Sequence, residues 1–203
     1  MHLSWLGGTT LKIQAKPFAD DVTVVIDPYK QEEGSFPRSL TPHIVIFTRG
    51  EDNSIPLSGD PFVISTPGEY EIKGVLVTAA QGKSGQMVCR IDAESLSIGH
   101  LGLRKAKLDE KELSALGEVD ILCIPAGGGD SYDVEGAIDV ANSIEPRLII
   151  PIATQSDNSP KALSGEVFAK AFGSGADTAE KKLIMKKKDL PQEETKVVLL
   201  AKE

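Results

Sequence analysis

Hydrophobic and polar positions alternate in one rhythm over the first half of the chain and in another over the second. Up to about residue 100 the apolar runs are short, often β-branched, and separated by glycine, proline or charged residues. That is the pattern of strands and tight turns. Residues 3–6 and 11–15 flank Gly7-Gly8-Thr9-Thr10, which predicts a hairpin. Residues 22–26 form a third strand, ended by Asp27-Pro28, and the stretch 29–42, broken by Gly34, Pro37 and Pro42, reads as irregular. Strands follow at 44–48 and 62–65. Two hairpins come next, 69–72 with 75–78 around Lys73-Gly74, and 87–91 with 96–98 around Asp92-Ala93-Glu94.

Beyond residue 100 the spacing lengthens. Residues 109–116 carry Leu113 and Leu116 at helical spacing and stop at Gly117. A buried strand at 119–125 leads into Ala126-Gly127-Gly128-Gly129 and a helix over 132–144. A strand at 147–151, a helix over 162–172, and strands at 182–185 and 197–200 complete the pattern. Antiparallel strands first and strand–helix–strand units afterwards predict one domain over 1–203, a four-layer αββα sandwich with sheets inside and helices outside. A doubly wound Rossmann sheet is the competing architecture, disfavoured because the first hundred residues show almost no helix.

One stretch organises the rest. Ile44-Val45-Ile46-Phe47-Thr48 is apolar and breaks at Gly50 into a dense polar loop, Arg49 to Ser54. A buried strand of this kind delivers its loop to the carboxyl end of a sheet, where layered α/β proteins place their sites.

Composition narrows the function classes. Of 203 residues, 22 are basic and 30 acidic, for a net charge of -8. That balance argues against a nucleic-acid partner, which needs clustered Lys and Arg. The Lys186-Lys187-Lys188 cluster reads as a solvated turn. Cys89 and Cys123 lie in apolar runs and read as buried hydrophobes rather than a disulfide. The N-terminal residues lack the basic segment and apolar core of a signal peptide, and no stretch approaches the ~18 apolar residues that span a bilayer. Cytoplasmic location and no membrane contact are the expectations.

Ordered landmarks resemble the metallo-β-lactamase superfamily, in particular its small lactonase-like, zinc-dependent hydrolases. They are Trp5-Leu6-Gly7-Gly8-Thr9-Thr10, Val25-Ile26-Asp27-Pro28, Pro67-Gly68-Glu69-Tyr70-Glu71-Ile72-Lys73-Gly74-Val75, and Ser97-Ile98-Gly99-His100-Leu101-Gly102. The last are Asp120-Ile121-Leu122-Cys123-Ile124-Pro125-Ala126-Gly127-Gly128-Gly129 and Ile149-Ile150-Pro151-Ile152. The resemblance implies a metal-bound water as nucleophile, held by a His-x-His-x-Asp-His loop, a further histidine, a bridging aspartate and a last histidine. Those positions fall on Arg49, Glu51, Asn53, Ser54, Gln81, Leu103 and Ala153. None carries the family's ligand. A catalytic zinc needs about three ligands, mostly imidazole or thiolate, whereas the chain has three histidines in all, His2, His43 and His100. Arg49 would repel a cation.

No bound cofactor is therefore expected, zinc belonging to intact relatives. The vestigial-cleft candidates are Asp27, Arg49, Glu51, Asp52, Asn53 and His100, with Arg49 expected to pair with Glu51 or Asp27. The functional expectation is a protein that has lost its metal ligands, binding a small molecule or assembling with another protein, a homo-oligomer included. An active hydrolase of ester, lactone or phosphodiester bonds, using His100, Glu51 and Asp52, is the alternative. Gly50 to Ser54 as a hard-cation loop and the glycine run 127–129 as a phosphate cradle are weaker readings, the latter because Asp130 and Asp133 suit a helix start better than an anion does.

Overall fold

The structure, a computed structural model, describes residues 1–179 and 181–203. Two sheets face each other across a continuous apolar core. The first contains β1 (His2–Gly7), β2 (Thr10–Ala15), β3 (Val22–Ile26), β4 (Ile44–Ile46) and β5 (Phe62–Ile64), with β13 (Lys182–Ile184) beside β1, in the order 13-1-2-3-4-5. The second contains β6 (Gly68–Ile72), β7 (Val75–Gln81), β8 (Met87–Ala93), β9 (Leu96–His100), β10 (Ile121–Pro125), β11 (Leu148–Ile152), β12 (Ala176–Ala179) and β14 (Lys196–Leu200), in the order 12-14-11-10-9-8-7-6. Period-2 alternation fills the space between them: Leu3, Trp5, Leu11 and Ile13 from one side meet Val75, Val77, Cys89, Ile91 and Ile98 from the other.

Parallel pairing sets the position of the site. β3, β4 and β5 run parallel, as do β9, β10, β11 and β14. Their carboxyl ends gather at one end of the sandwich, so the loops after Ile26, Ile46, His100, Pro125 and Ile152 form a shared mouth. The strand over 44–48 is two residues shorter than its apolar run suggests, because Phe47 and Thr48 already bond to the neighbouring strand ends.

The sandwich is of the expected metallo-β-lactamase type, with unequal outer layers. α1 (Glu110–Leu116), α2 (Val134–Ile144) and α3 (Gly165–Phe172) all pack on the second sheet. The outer face of the first is covered by the 27–62 loop, which buries Val45 and Phe47 against Tyr29 and Leu57, and by the last residues, where Lys12 pairs with Glu203 at 2.7 Å. α1 opens with a reciprocal capping box between Asp109 and Glu112, and α2 is capped by Asp133, whose carboxylate accepts the Gly136 N–H at 2.8 Å.

Two local expectations are corrected, and one strand is not anticipated by the sequence. The β8–β9 turn sits at Glu94-Ser95, both in left-handed backbone, and not at 92–94. Lys187 is not simply solvated: its ammonium lies 2.7 Å from Asp120. β12 has no apolar run to announce it, since it is an edge strand held by parallel pairing to β14.

α2 ends on Glu145 in left-handed backbone (φ 53°), a negative charge at the negative end of the helix dipole. Glu145→Gly removes both penalties and is expected to stabilise by about 0.5–1 kcal/mol. Chemical denaturation checks this, through a higher midpoint at unchanged slope.

Candidate functional site

Asp27 ends β3 in left-handed backbone (φ 52°) and is completely buried. Its Oδ1 accepts the Thr48 N–H at 2.8 Å and its Oδ2 the Thr48 hydroxyl at 2.7 Å. The Asp27 carbonyl accepts the Thr10 hydroxyl at 2.6 Å and the Tyr29 N–H at 2.7 Å. One carboxylate thus ties the ends of β3 and β4 together, and its own backbone reaches the β1–β2 turn.

His100 is also completely buried, opposite Cys89 of β8 and Cys123 of β10 in the strand register. Its Nδ1 accepts the Gly102 N–H at 3.1 Å, which leaves the proton on Nε2 to be donated to the Thr9 carbonyl at 2.9 Å. Both ring nitrogens are spent inside the protein. Burial pushes its pKa below the usual imidazole value, against the opposing pull of the Asp27 charge and the Thr9 bond. The groups facing it add no charge from the second sheet: burial raises the Cys123 thiol to about 12 and the Cys89 thiol well above its ordinary value.

Arg49 does not pair with Glu51 or Asp27, and that expectation is corrected. Its guanidinium lies 4.6 Å over the ring of Tyr29, a cation–π contact. The Tyr29 hydroxyl donates to the Gly50 carbonyl at 2.8 Å and accepts the Arg49 N–H at 3.0 Å, so the ring fixes the loop on which the guanidinium rides. Burial first, and then Asp27, raise the Tyr29 pKa above its usual value. Asp27 is saturated by Thr48, and Glu51 instead accepts the Ser65 hydroxyl at 2.7 Å.

The remaining candidates face water. Glu51, Asp52 and Asn53 are exposed. Asn53 sits in left-handed backbone (φ 63°) and offers its carbonyl to the Lys30 N–H at 2.8 Å. The structure therefore bonds Asp27 and His100 to the adjacent residues Thr10 and Thr9 and sets Arg49 over Tyr29, but leaves Glu51 and Asp52 on the surface, apart from the buried His100. Among the positions carried over from the family, Ser54 donates its hydroxyl to the Ile55 carbonyl at 2.9 Å, Gln81 is exposed, Leu103 is half-buried, and Ala153 holds left-handed backbone (φ 53°).

The Gly127–Gly129 run is packing rather than a phosphate cradle. A Cβ at Gly127 would stand 1.9 Å from the Ala153 carbonyl oxygen, so only glycine lets the 126–129 and 153–163 loops touch. The far side of that second loop is clasped to the segment between β3 and β4: Asp157 accepts the Ser35 N–H at 2.8 Å and its hydroxyl at 2.9 Å, and the Lys202 ammonium joins Asp157 and Ser35.

Arg104, missed from the sequence, is fully buried and paired with Glu112 at 2.8 Å and 3.1 Å. It also donates to Ser84 Oγ at 3.1 Å, linking the β7–β8 turn to the loop after β9. The Asp109-x-x-Glu112 capping pattern was the legible half of this cluster. A groove of about 1520 Å³ lies elsewhere, at the amino ends of β9 to β11, lined by Ser97, Asp120, Arg147 and Lys187.

The profile of the family described as "Beta-lactamase superfamily domain" matches residues 2–153, and the chain belongs to that family. Among solved structures it is similar to a Thermotoga maritima protein assigned to the Zn-dependent hydrolases of the metallo-β-lactamase superfamily, with 23% identity, TM-score 0.82 and 98% of each chain covered. A metallo hydrolase from Ignicoccus hospitalis matches at 14% identity and TM-score 0.61, over 85% of this chain and 90% of that one. The metallo-β-lactamase fold protein YhfI from Bacillus subtilis matches at 7% identity and TM-score 0.57, over 98% and 95%. No curated protein matches the sequence.

Zinc, which such relatives imply, does not fit the residues present. Among the described residues His100 is the imidazole at the mouth and has both nitrogens engaged, and Arg49 stands where the resemblance places the first ligand. Among the described residues no group of three His, Cys, Asp or Glu side chains is placed to hold a metal ion. Among them too, no helix is long and apolar enough to cross a membrane.

Two outcomes follow. Arg104→Met strands the buried Glu112 carboxylate and is expected to cost about 3–5 kcal/mol, most of it recovered on adding Glu112→Gln, which keeps the capping box; urea denaturation of the single and double variants checks this. His100 has a folded-state pKa below its unfolded value of about 6.5, so the folded state binds fewer protons. Its contribution is complete above about pH 6.5 and is lost as pH falls below it. The slope of unfolding free energy against pH in that window should flatten in His100→Gln.

Proposed function

We propose that this chain is a non-catalytic member of its family, which has kept the loop scaffold of a hydrolase and uses its mouth to recognise a small molecule or to assemble with another protein. One observation carries the reading: Asp27 and His100, the polar groups best placed for chemistry, have their side chains committed to bonds within the protein. A general base needs a free lone pair in reach of substrate, and a metal ligand needs the same. Non-glycine left-handed backbone at Asp27, Asn53 and Ala153 supports the reading of a strained, site-like scaffold, in loops to which the resemblance assigns ligands. All 203 residues are taken to act as one unit.

Elemental analysis of protein purified without chelator tests the reading, together with ester, lactone and phosphodiester substrates. The expected result is under ~0.1 transition ion per chain and no turnover. One or two tight ions per chain, or hydrolysis that disappears on mutating His100, overturns it. A ligand of the mouth present at 100-fold excess over its Kd should stabilise the fold by about 2.7 kcal/mol.

A further inference from the structure

The Arg49 guanidinium occupies an unusual position. It is exposed, it lies 4.6 Å over the Tyr29 ring, and no hydrogen bond or ion pair to its guanidinium is formed among the described residues. The nearby acids are engaged or turned away: Asp27 holds Thr48, and Glu51 holds Ser65. Asp52 is exposed on the same loop.

The contact with Tyr29 consumes no guanidinium N–H, and none is spent on another group among the described residues, so the fork that can receive two oxygens of one anion side by side is available. Tyr29 restricts the loop as well, because its hydroxyl bonds to both the Arg49 N–H and the Gly50 carbonyl. Ordering an arginine in advance removes part of the entropy that binding would otherwise cost. There is also room. A Cβ built on Gly50, in left-handed backbone (φ 82°), meets nothing within 4 Å.

We infer that the mouth takes an anionic ligand, a small carboxylate or phosphate whose oxygens bridge the in-plane N–H groups of Arg49 beside Gly50. The inference rests on the ligand-binding branch of the proposed function and adds its chemical class. Where a metal-bearing relative presents a cation to its ligand, this chain presents a guanidinium set against Tyr29. A neutral molecule of equal size would leave that charge without a counterpart. Arg49 acts here as a binding residue, and Tyr29 as the group that positions it.

The test is a titration of isotope-labelled protein with inorganic phosphate and, separately, acetate, each matched in ionic strength with sodium chloride. The Arg49 side-chain N–H and the Gly50 amide are followed by NMR. Saturable shifts confined to these signals and their neighbours are expected, with affinity at least tenfold lower in Arg49→Gln and reduced in Arg49→Lys, which keeps the charge but loses the fork. The exposed position of Arg49 means both variants should fold, which an unchanged melting temperature verifies. A larger response to phosphate than to acetate would assign a phosphate group, and the reverse a carboxylate. Linear, unsaturated shifts that are identical in Arg49→Gln would overturn the inference. Neutral fragments that shift the Gly50 and Gly8 amides while anions do not would also overturn it, yet would leave the ligand-binding reading standing.

Discussion

A carboxylate with no contact to water holds this end of the molecule in shape. Burying a charged oxygen pair costs several kcal/mol unless each oxygen finds a donor. Asp27 meets that demand with the main chain and hydroxyl of Thr48, so the end of β4 is fixed by the needs of the end of β3. Everything at the mouth is referred to this bond pair. Thr10 and Tyr29 hang on the Asp27 carbonyl, and Tyr29 in turn sets Arg49 and Gly50. His100 lies within its field from the opposite sheet. In a metal-bearing relative a dication could help hold such loops by direct bonds. Here neutral and ionic hydrogen bonds tie the loops together, and the Arg104–Glu112 pair does the same on the far side of the mouth.

Much of the fold was legible because strand periodicity and glycine punctuation are local signals. Val22 to Ile26, Ile121 to Pro125 and Leu148 to Ile152 announce themselves by runs of apolar residues. The misplaced β8–β9 turn shows the limit: Glu94 and Ser95 adopt left-handed backbone without glycine or asparagine, because the pairing of Ala93 with Leu96 imposes it. β12 escaped for a related reason, since an edge strand with little apolar content is defined by its neighbour and not by itself.

At the mouth, sequence reasoning could say which ligands were missing but not what had replaced them. That requires knowing which side chains meet across the fold. Arg49 was expected to seek a carboxylate, yet both nearby acids had better partners in Thr48 and Ser65, and the ring of Tyr29 stood closer. Arg104 gave no signal at all. A lone arginine in a loop reads as a surface residue, and only the folded chain shows Glu112 and Ser84 closing around it.

The clasp of Ser35, Asp157 and Lys202 has a bearing on how the protein comes into being. Its members are drawn together from positions 122 and 167 residues apart along the chain. The Ser35–Asp157 contact cannot form until residue 157 has been made, and Lys202 can join it only later. Synthesis delivers β1 to β5 of the first sheet early, whereas its edge strand β13 comes only with residues 182–184. The rim must wait for Lys202, beyond β14, so this edge takes its final shape later than β1 to β5.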